Sequence, residues 1–342
     1  MGMSVNYRYS FFTPPTVNYQ NVQFFTTVSD PTMIAGHGMP ITFIINSDNN
    51  YINFAESYFR FKIKITGADG QNIANNMDNQ VAFEPNIFHS VWSMVRVRVN
   101  DFLVTPSSDI YSYKAFIETL FASNADSKNS DLLTDFQPDT GAQNTFGNGN
   151  ENFRNRSLRT NRSVVLEVSG QLCVDFLKNS RNVLPNSKVE ITLFPKSAAS
   201  VIHRSQHADV AGVDFSYRIS DPQFFVRREE IIPSIALAIE TRLSRQAASY
   251  HYPLSVIKPY HLADGIFNYR AEDCFSNQLP LKILVCFVDS AAYNGSVDES
   301  SFYFNPSTEI ENIEFFKSGL RVGLQRVTEV DLRANSSNFL WC

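Results

Sequence analysis

Tyr58-Phe59-Arg60-Phe61-Lys62-Ile63-Lys64-Ile65, residues 58–65, is the stretch whose reading decides the fold. Phe59, Phe61, Ile63 and Ile65 alternate with Arg60, Lys62 and Lys64. A period of two puts the apolar groups on one face of a strand and the cations on the other. Gly67 to Gly70 ends the run with turn chemistry. Upstream, residues 41–46 read as a strand closed by the turn Ser47-Asp48-Asn49-Asn50. Downstream, residues 91–104 alternate again, with Val95, Val97 and Val99 opposite Arg96, Arg98 and Asn100.

Composition agrees with many short strands. The 342 residues are long for one domain and suit two all-β domains. Hydrophobic residues make up 43%, enough for cores, and Phe (29) and Tyr (14) favour pleated, half-buried surfaces. The net charge of −5 contains no run of like charge, so bulk electrostatics do not announce a nucleic-acid binder. No apolar stretch reaches bilayer-spanning length, and the N-terminus lacks a secretory pattern. Met1-Gly2 would suit myristoylation, but Asn6 stands where Ser or Thr is wanted. Cys173, Cys274, Cys286 and Cys342 are far apart, which indicates neither zinc nor a disulfide framework and agrees with a reducing compartment.

The rest of the chain divides by pattern. Residues 1–39 form an aromatic arm with Tyr9, Phe11, Phe12, Phe24 and Phe25. It needs a surface to lie on, either its own domain or a neighbouring subunit. After residue 109, an N-cap candidate, Tyr113, Phe116, Ile117, Leu120 and Phe121 recur at helical spacing. Residues 125–163 are polar and aperiodic, the composition of a projecting loop or a disordered excursion. Strands resume at 164–168 and 189–193. Residues 200–214 read as a linker, so the first domain spans 40–210 and the second 211–342. The second holds a helix from Pro233 to about residue 246 and strands at 250–262, 266–275, 279–289, 302–304 and 310–322.

Tested for chemistry, the sequence yields no catalytic, cofactor or metal residue. His203 and His207 stand four apart, but the intervening residues lack the glutamate of a zinc peptidase, and solvated linker histidines explain them better. His251 and His261 suit core-edge or interface positions. Arg154, Arg156, Arg159 and Arg162 form the local basic cluster, which could touch phosphate. With Phe153 alone for base stacking, an exposed, solvated loop is the simpler reading.

Several segments in order resemble one family, the major capsid proteins of Polinton/Maverick elements and the related adintoviruses. Phe11-Phe12-Thr13-Pro14-Pro15-Thr16 resembles its opening segment. Pro40-Ile41-Thr42-Phe43-Ile44-Ile45 with Tyr51-Ile52-Asn53-Phe54, then Lys62-Ile63-Lys64-Ile65 through Asp69-Gly70, resemble its early strands. Asn86-Ile87-Phe88-His89-Ser90, leading to Val97-Arg98-Val99-Asn100, is similar to the next block. The most specific match is Tyr111-Ser112-Tyr113-Lys114-Ala115-Phe116-Ile117-Glu118-Thr119-Leu120. Gly170-Gln171-Leu172-Cys173-Val174-Asp175-Phe176, Gln278-Leu279-Pro280, Val288-Asp289 and Asn294-Gly295-Ser296 complete the series.

The resemblance implies an all-β double jelly roll, two tandem β-sandwiches with short inserted helices. The match fades after about Val322, so the resemblance implies a second barrel that is either incomplete at the C-terminus or closed differently. It also implies a structural, non-enzymatic protein whose homotrimers form pseudo-hexagonal capsomers of an icosahedral shell. Its partners would be itself and penton or minor capsid proteins, with no membrane span and no direct nucleic-acid contact. It would be made in the host cytoplasm, assembled there or in the nucleus, and reside in the virion. A truncated or host-domesticated capsid-derived binding module is one alternative. Another is a cupin-like metal enzyme, which would need clustered His and Glu. A minor capsid protein would need only one jelly roll.

Overall fold

The computed structural model describes residues 21–34, 38–105, 110–122, 137–140, 144–147, 149–261, 283–304 and 337–341. Its strands in chain order are β1 (Asn21–Ser29), β2 (Met33–Ile34), β3 (Ile41–Asn46), β4 (Tyr51–Gly67), β5 (Val81–Phe83), β6 (Trp92–Val99), β7 (Phe102–Leu103), β8 (Leu166–Gly170), β9 (Lys188–Pro195), β10 (Ile202–Arg204), β11 (Phe215–Ile231), β12 (Lys258–His261), β13 (Val285–Asp289) and β14 (Ser337–Trp341). The helices used below are α1 (Ile87–Ser90), α2 (Tyr111–Ala122), α3 (Glu151–Thr160), α4 (Pro233–Leu243) and α5 (Ser290–Asn294).

Strand pairing identifies the first unit. One sheet runs β1-β11-β4-β8 and the other β2-β3-β9-β6-β7. The antiparallel pairs are nested: β6 with β7, β4 with β8, β3 with β9 and β1 with β11. A long hairpin folded on itself and closed by β4·β11 and β6·β9 is a jelly roll, two sheets with both Greek keys complete.

The alternation in residues 58–65 explains how the sheets meet. Phe59, Phe61, Ile63 and Ile65 are buried between them. Phe59 meets Phe43 edge-on at 5.6 Å, and Phe61 meets Trp92 of the opposite sheet at 5.4 Å. Such contacts add about 0.5–1.5 kcal/mol beyond burial of the rings. On the outer face Lys62 pairs with Asp221 at 2.8 Å and Arg60 with Glu167 at 3.4 Å. These ion pairs are solvent-facing and contribute little.

The all-β expectation holds, with sandwiched sheets and short inserted helices. Three boundaries move. Residues 200–214 are packed within the first unit, where Val201, Ile202, His203 and Val210 are buried. Phe215–Ile231 does not open the second unit; it lies between β1 and β4, from Phe215 opposite Gly67 to Glu229 opposite Tyr51. A division after residue 210 would therefore remove the strand that closes the first roll. At the other end, β1 extends the roll back to Asn21, so residues 21–29 of the expected arm are sheet.

After α4, the segment around Tyr250 and Tyr252 lies on the first roll. The Tyr252 hydroxyl donates to the Val104 carbonyl and the Tyr250 hydroxyl to that of Asn182. Of the strand expected over 250–262, residues 258–261 are β12, whereas 251–257 are irregular, as are 302–304. The second unit shows an antiparallel sheet ordered β12-β14-β13. Its core gathers Ile257, Val288, Ala292 and Phe302 around Ile110, Tyr113 and Phe116. Phe116 and Phe302 stack at 4.2 Å. The aromatic stripe of α2, a helix inserted between β7 and β8 of the first roll, thus supplies part of the second unit's core. The strands expected at 266–275 and 310–322 lie outside the described residues.

Phe59→Ala should lower unfolding free energy by about 3–5 kcal/mol in urea titration. Phe102→Ala, at a site 78% exposed, should change it by less than about 0.5 kcal/mol. Equal losses would contradict the assigned core.

Candidate functional site

Two buried polar nodes and two exposed apolar features stand out. The first node lies where β5 and β10 meet the second unit. β5 and β10 pair antiparallel, with His203 opposite Ala82. Glu84 follows β5 directly, and its carboxylate oxygen Oε1 accepts from the Ser301 backbone N–H at 2.9 Å and the Ser300 hydroxyl at 3.4 Å. Its Oε2 contacts Nε2 of His203. Both side chains are fully buried, and Phe146 stacks flat on the imidazole at 4.6 Å.

Burial raises the Glu84 carboxyl to about 8, with the Asp139 charge adding to it. Burial lowers His203 to about 4. The pair therefore shares one proton across neutral pH. Lys196, lying over the faces of Tyr113 at 5.3 Å and Phe302 at 5.9 Å, is lowered by burial to about 8, opposed by Glu84.

Arg156 completes this side. It is fully buried on α3, with Nε donating to the Phe83 carbonyl at 3.0 Å and Nη2 to Asp139 at 2.6 Å. Nη1 donates to the Gln137 carbonyl. Asn150 caps α3 by accepting from the Phe153 N–H at 3.0 Å, and the Thr160 hydroxyl donates to the Val81 carbonyl at 3.0 Å.

The expected exposed basic loop is thus corrected. The four arginines lie on α3 and the turn after it, and they diverge. Arg154 is exposed, Arg156 faces inward, Arg159 is half-buried, and Arg162 pairs with Asp78 at 3.0 Å. The described geometry does not gather them into one cationic patch. His203 is likewise no solvated linker residue, while His207 is exposed and caps its own turn by accepting from the Asp209 N–H. His251 and His261 are both exposed.

The second node joins His89, Tyr111 and Cys173. The Tyr111 hydroxyl accepts from the Cys173 N–H at 3.1 Å and shares a hydrogen bond with His89 Nδ1 at 2.9 Å. The other ring nitrogen, Nε2, faces Cys173 Sγ at 3.8 Å. A nucleophilic pair needs a basic imidazole beside a thiol of low pKa. Burial instead lowers His89 to about 3 and raises Cys173 to about 12. The adjoining cleft, bordered by Lys114, Asp175, Ser255 and Ile257, has room for 40 Å³, about three waters. Among the described residues no group of three or more His, Cys, Asp and Glu is placed to hold a metal.

The exposed features are the β6–β7 tip, with Phe102 and Leu103, and α4, where Leu237 is 65% exposed and no residue is buried. Of the aromatic-arm residues, Phe24 and Phe25 sit in β1 at the edge of its sheet, with Phe24 exposed beneath the Arg227 guanidinium at 4.8 Å. Tyr9, Phe11 and Phe12 lie outside the described residues. No described helix is long and apolar enough to cross a membrane.

No protein-family model matches the chain. It is 24% identical over 278 residues to uncharacterized protein F54H12.2 of Caenorhabditis elegans, covering 78% of this chain and 63% of that relative's length. Among solved structures, PBCV-1 VP54, fitted into a reconstruction of the virophage Sputnik, overlaps with a TM-score of 0.47 at 12% identity, covering 81% of this chain and 55% of that one. The Sputnik virophage structure gives 0.46 at 10% identity over 100% and 85%. The mavirus major capsid protein gives 0.43 at 14% identity over 92% and 69%. Overlaps this loose do not assign the chain.

Arg156→Ala should cost about 3–5 kcal/mol, because it strands the buried Asp139 charge and two carbonyls. Arg154→Ala should cost under about 0.5 kcal/mol in the same denaturant titration. A pH dependence follows from the imidazoles and the carboxyl. His89 is neutral when folded, so its contribution is present above pH 6.5 and lost as pH falls toward 3. Glu84 works oppositely: its contribution is full below pH 4.5 and is lost as pH rises through 8. His203 offsets Glu84 between pH 4.5 and 6.5. Thermal stability should therefore peak near pH 6.5, and His89→Gln should flatten the arm between 4.5 and 6.5. An unchanged acid arm in that variant would contradict the assignment.

Proposed function

We propose that this chain is a structural capsid protein of the double jelly-roll type, one whose work is geometrical rather than catalytic. The observation that carries the reading is the nested strand order of residues 21–231, a complete jelly roll that hands the chain to a second β unit packed on its own inserted helix. The ordered resemblance of its segments to the capsid proteins of Polinton/Maverick elements and adintoviruses supports it further. A jelly roll pairs most strand edges inside its sheets and leaves loops and edge strands for neighbours.

On this reading three copies form a capsomer with a pseudo-hexagonal outline, six β units around a three-fold axis, and capsomers tile an icosahedral shell in the virion. Penton or minor capsid proteins fill the remaining positions. Head-to-tail contacts of this kind close into a ring when their rotation fits. Each contact would bury roughly 2,000 Å² or more with apolar and aromatic content. Exposed apolar groups on α4 and at the β6–β7 tip are the surfaces suited to it. Residues 1–20 would bridge capsomers, with β1 as their anchor. The division that fits both units is a first roll of 21–231 and a second unit from 232 onward.

Mass photometry and negative-stain imaging of the purified chain should show a three-copy species with a hexagonal outline. Deleting residues 1–20 should leave that species intact and abolish shell formation. A stable monomer at high concentration would overturn the capsomer reading and favour a capsid-derived binding module. Loss of the folded subunit on deletion would place the arm on its own domain.

A further inference from the structure

The seam between the first roll and the second unit is held by few groups, and they converge on one carboxyl. Residues 296–304 follow α5 and lie against β5 and β10. Arg204 ties this segment twice, its N–H to the Val297 carbonyl at 3.1 Å and its guanidinium to both Asp298 oxygens at 2.8 Å. That ion pair is largely solvent-facing on the Asp298 side. Deeper in, Glu84 holds the Ser301 N–H and Ser300 hydroxyl with one oxygen and His203 with the other. Phe302, two residues after Ser300, inserts beside Phe116 and Tyr113. The Ser301 hydroxyl donates back to the Ala292 carbonyl, fixing the segment to α5.

We propose that Glu84 and His203 form a proton-held clasp, which keeps residues 296–304 docked on the first roll while the pair shares one proton and releases them when that proton is removed. With the proton present, the carboxyl and the imidazole it touches are both neutral, and Oε1 remains an acceptor for the second unit. Removing it puts a net negative charge into a site walled by Phe146 and by the apolar β5 strand. Burying a charge costs far more than burying neutral polar groups.

The surrounding charges do not neutralise that charge by contact. Asp139, already engaged by Arg156, is of the same sign and raises the carboxyl further. Arg156 directs each of its three nitrogens elsewhere, to Phe83, Gln137 and Asp139. Lys196 favours the ionised carboxyl from a distance, but burial draws off its own proton in the same pH range. Tyr113, on α2, is pushed up by burial and by Glu84, so it stays neutral. Asp298 is held ionised by Arg204 at the rim. Opening the seam lets water reach Glu84 while the β4·β11 closure of the roll stays intact.

The test is amide hydrogen exchange of the full chain at pH 7 and pH 9, corrected for the intrinsic rate at each pH. Residues 296–304 should exchange about ten-fold faster at pH 9, one pH unit above the carboxyl's titration, while β4 and β11 remain protected. Glu84→Gln keeps an acceptor for Ser301 and a donor for His203 but cannot ionise, so its exchange in this segment should be the same at both values. Equal wild-type protection at pH 7 and 9 would overturn the clasp. So would a Glu84→Gln protein that opens as the wild type does, or a loss of protection at pH 9 that spreads equally through β4 and β11. Circular dichroism of the variant at both pH values checks that it is folded, and none of these outcomes depends on oligomeric state.

Discussion

Everything in this structure depends on the pairing of β4 with β11. Both strands are 17 residues long, and their register runs from one end of the sheet to the other. The pair brings residues 148 to 178 positions apart into one ladder, closes the roll, and leaves β11 free to hold β1 on its far edge. Two irregularities interrupt it, and Asp221 takes a positive φ of 48° at the first. Such bulges sharpen local twist, which helps a long strand pair wrap over a second sheet. The apolar faces of both strands are buried together, so neither could leave without exposing Phe59, Phe61, Phe224 and Val226.

This non-locality explains what was legible in the sequence. Alternation in residues 58–65 and 91–99 announced strands because the pattern is local, and so did the aromatic stripe of α2. Residues 215–231 also read as strand, but a strand pattern does not name its partner. Assigning them to the second unit followed chain order, whereas the sheet follows nested pairing. The helix over 151–160 was missed for another reason. Only Phe153 and Leu158 are large and apolar there, so no stripe exists to detect. What holds it is the Asn150 cap and the buried Arg156, polar contacts whose partners lie outside the segment.

The buried nodes were less legible still. Glu84 is a lone acid at the end of the apolar run Val81-Ala82-Phe83, an anomaly that marks a partnered buried carboxyl. The spacing of His203 from His207 suits one face of a helix, whereas His203 lies on a strand and faces Glu84. The second node has a clearer trace. His89, Tyr111 and Cys173 each belong to a segment that resembles the capsid family, and these three segments meet at one hydrogen-bonded cluster. Its protonation states suit it to fixing α1 and α2 against the roll rather than to catalysis.

Residues 21–231 fold as one cooperative roll with β11 as its closing strand, and the second unit is added to it. Native-state hydrogen exchange in rising denaturant measures this directly, since amides that open together belong to one unit. The amides of Phe59 to Ile65 and of Phe224 to Val226 should lose protection together, in the most stable unit. Exchange of β11 together with residues 283–304, ahead of β4, would contradict it.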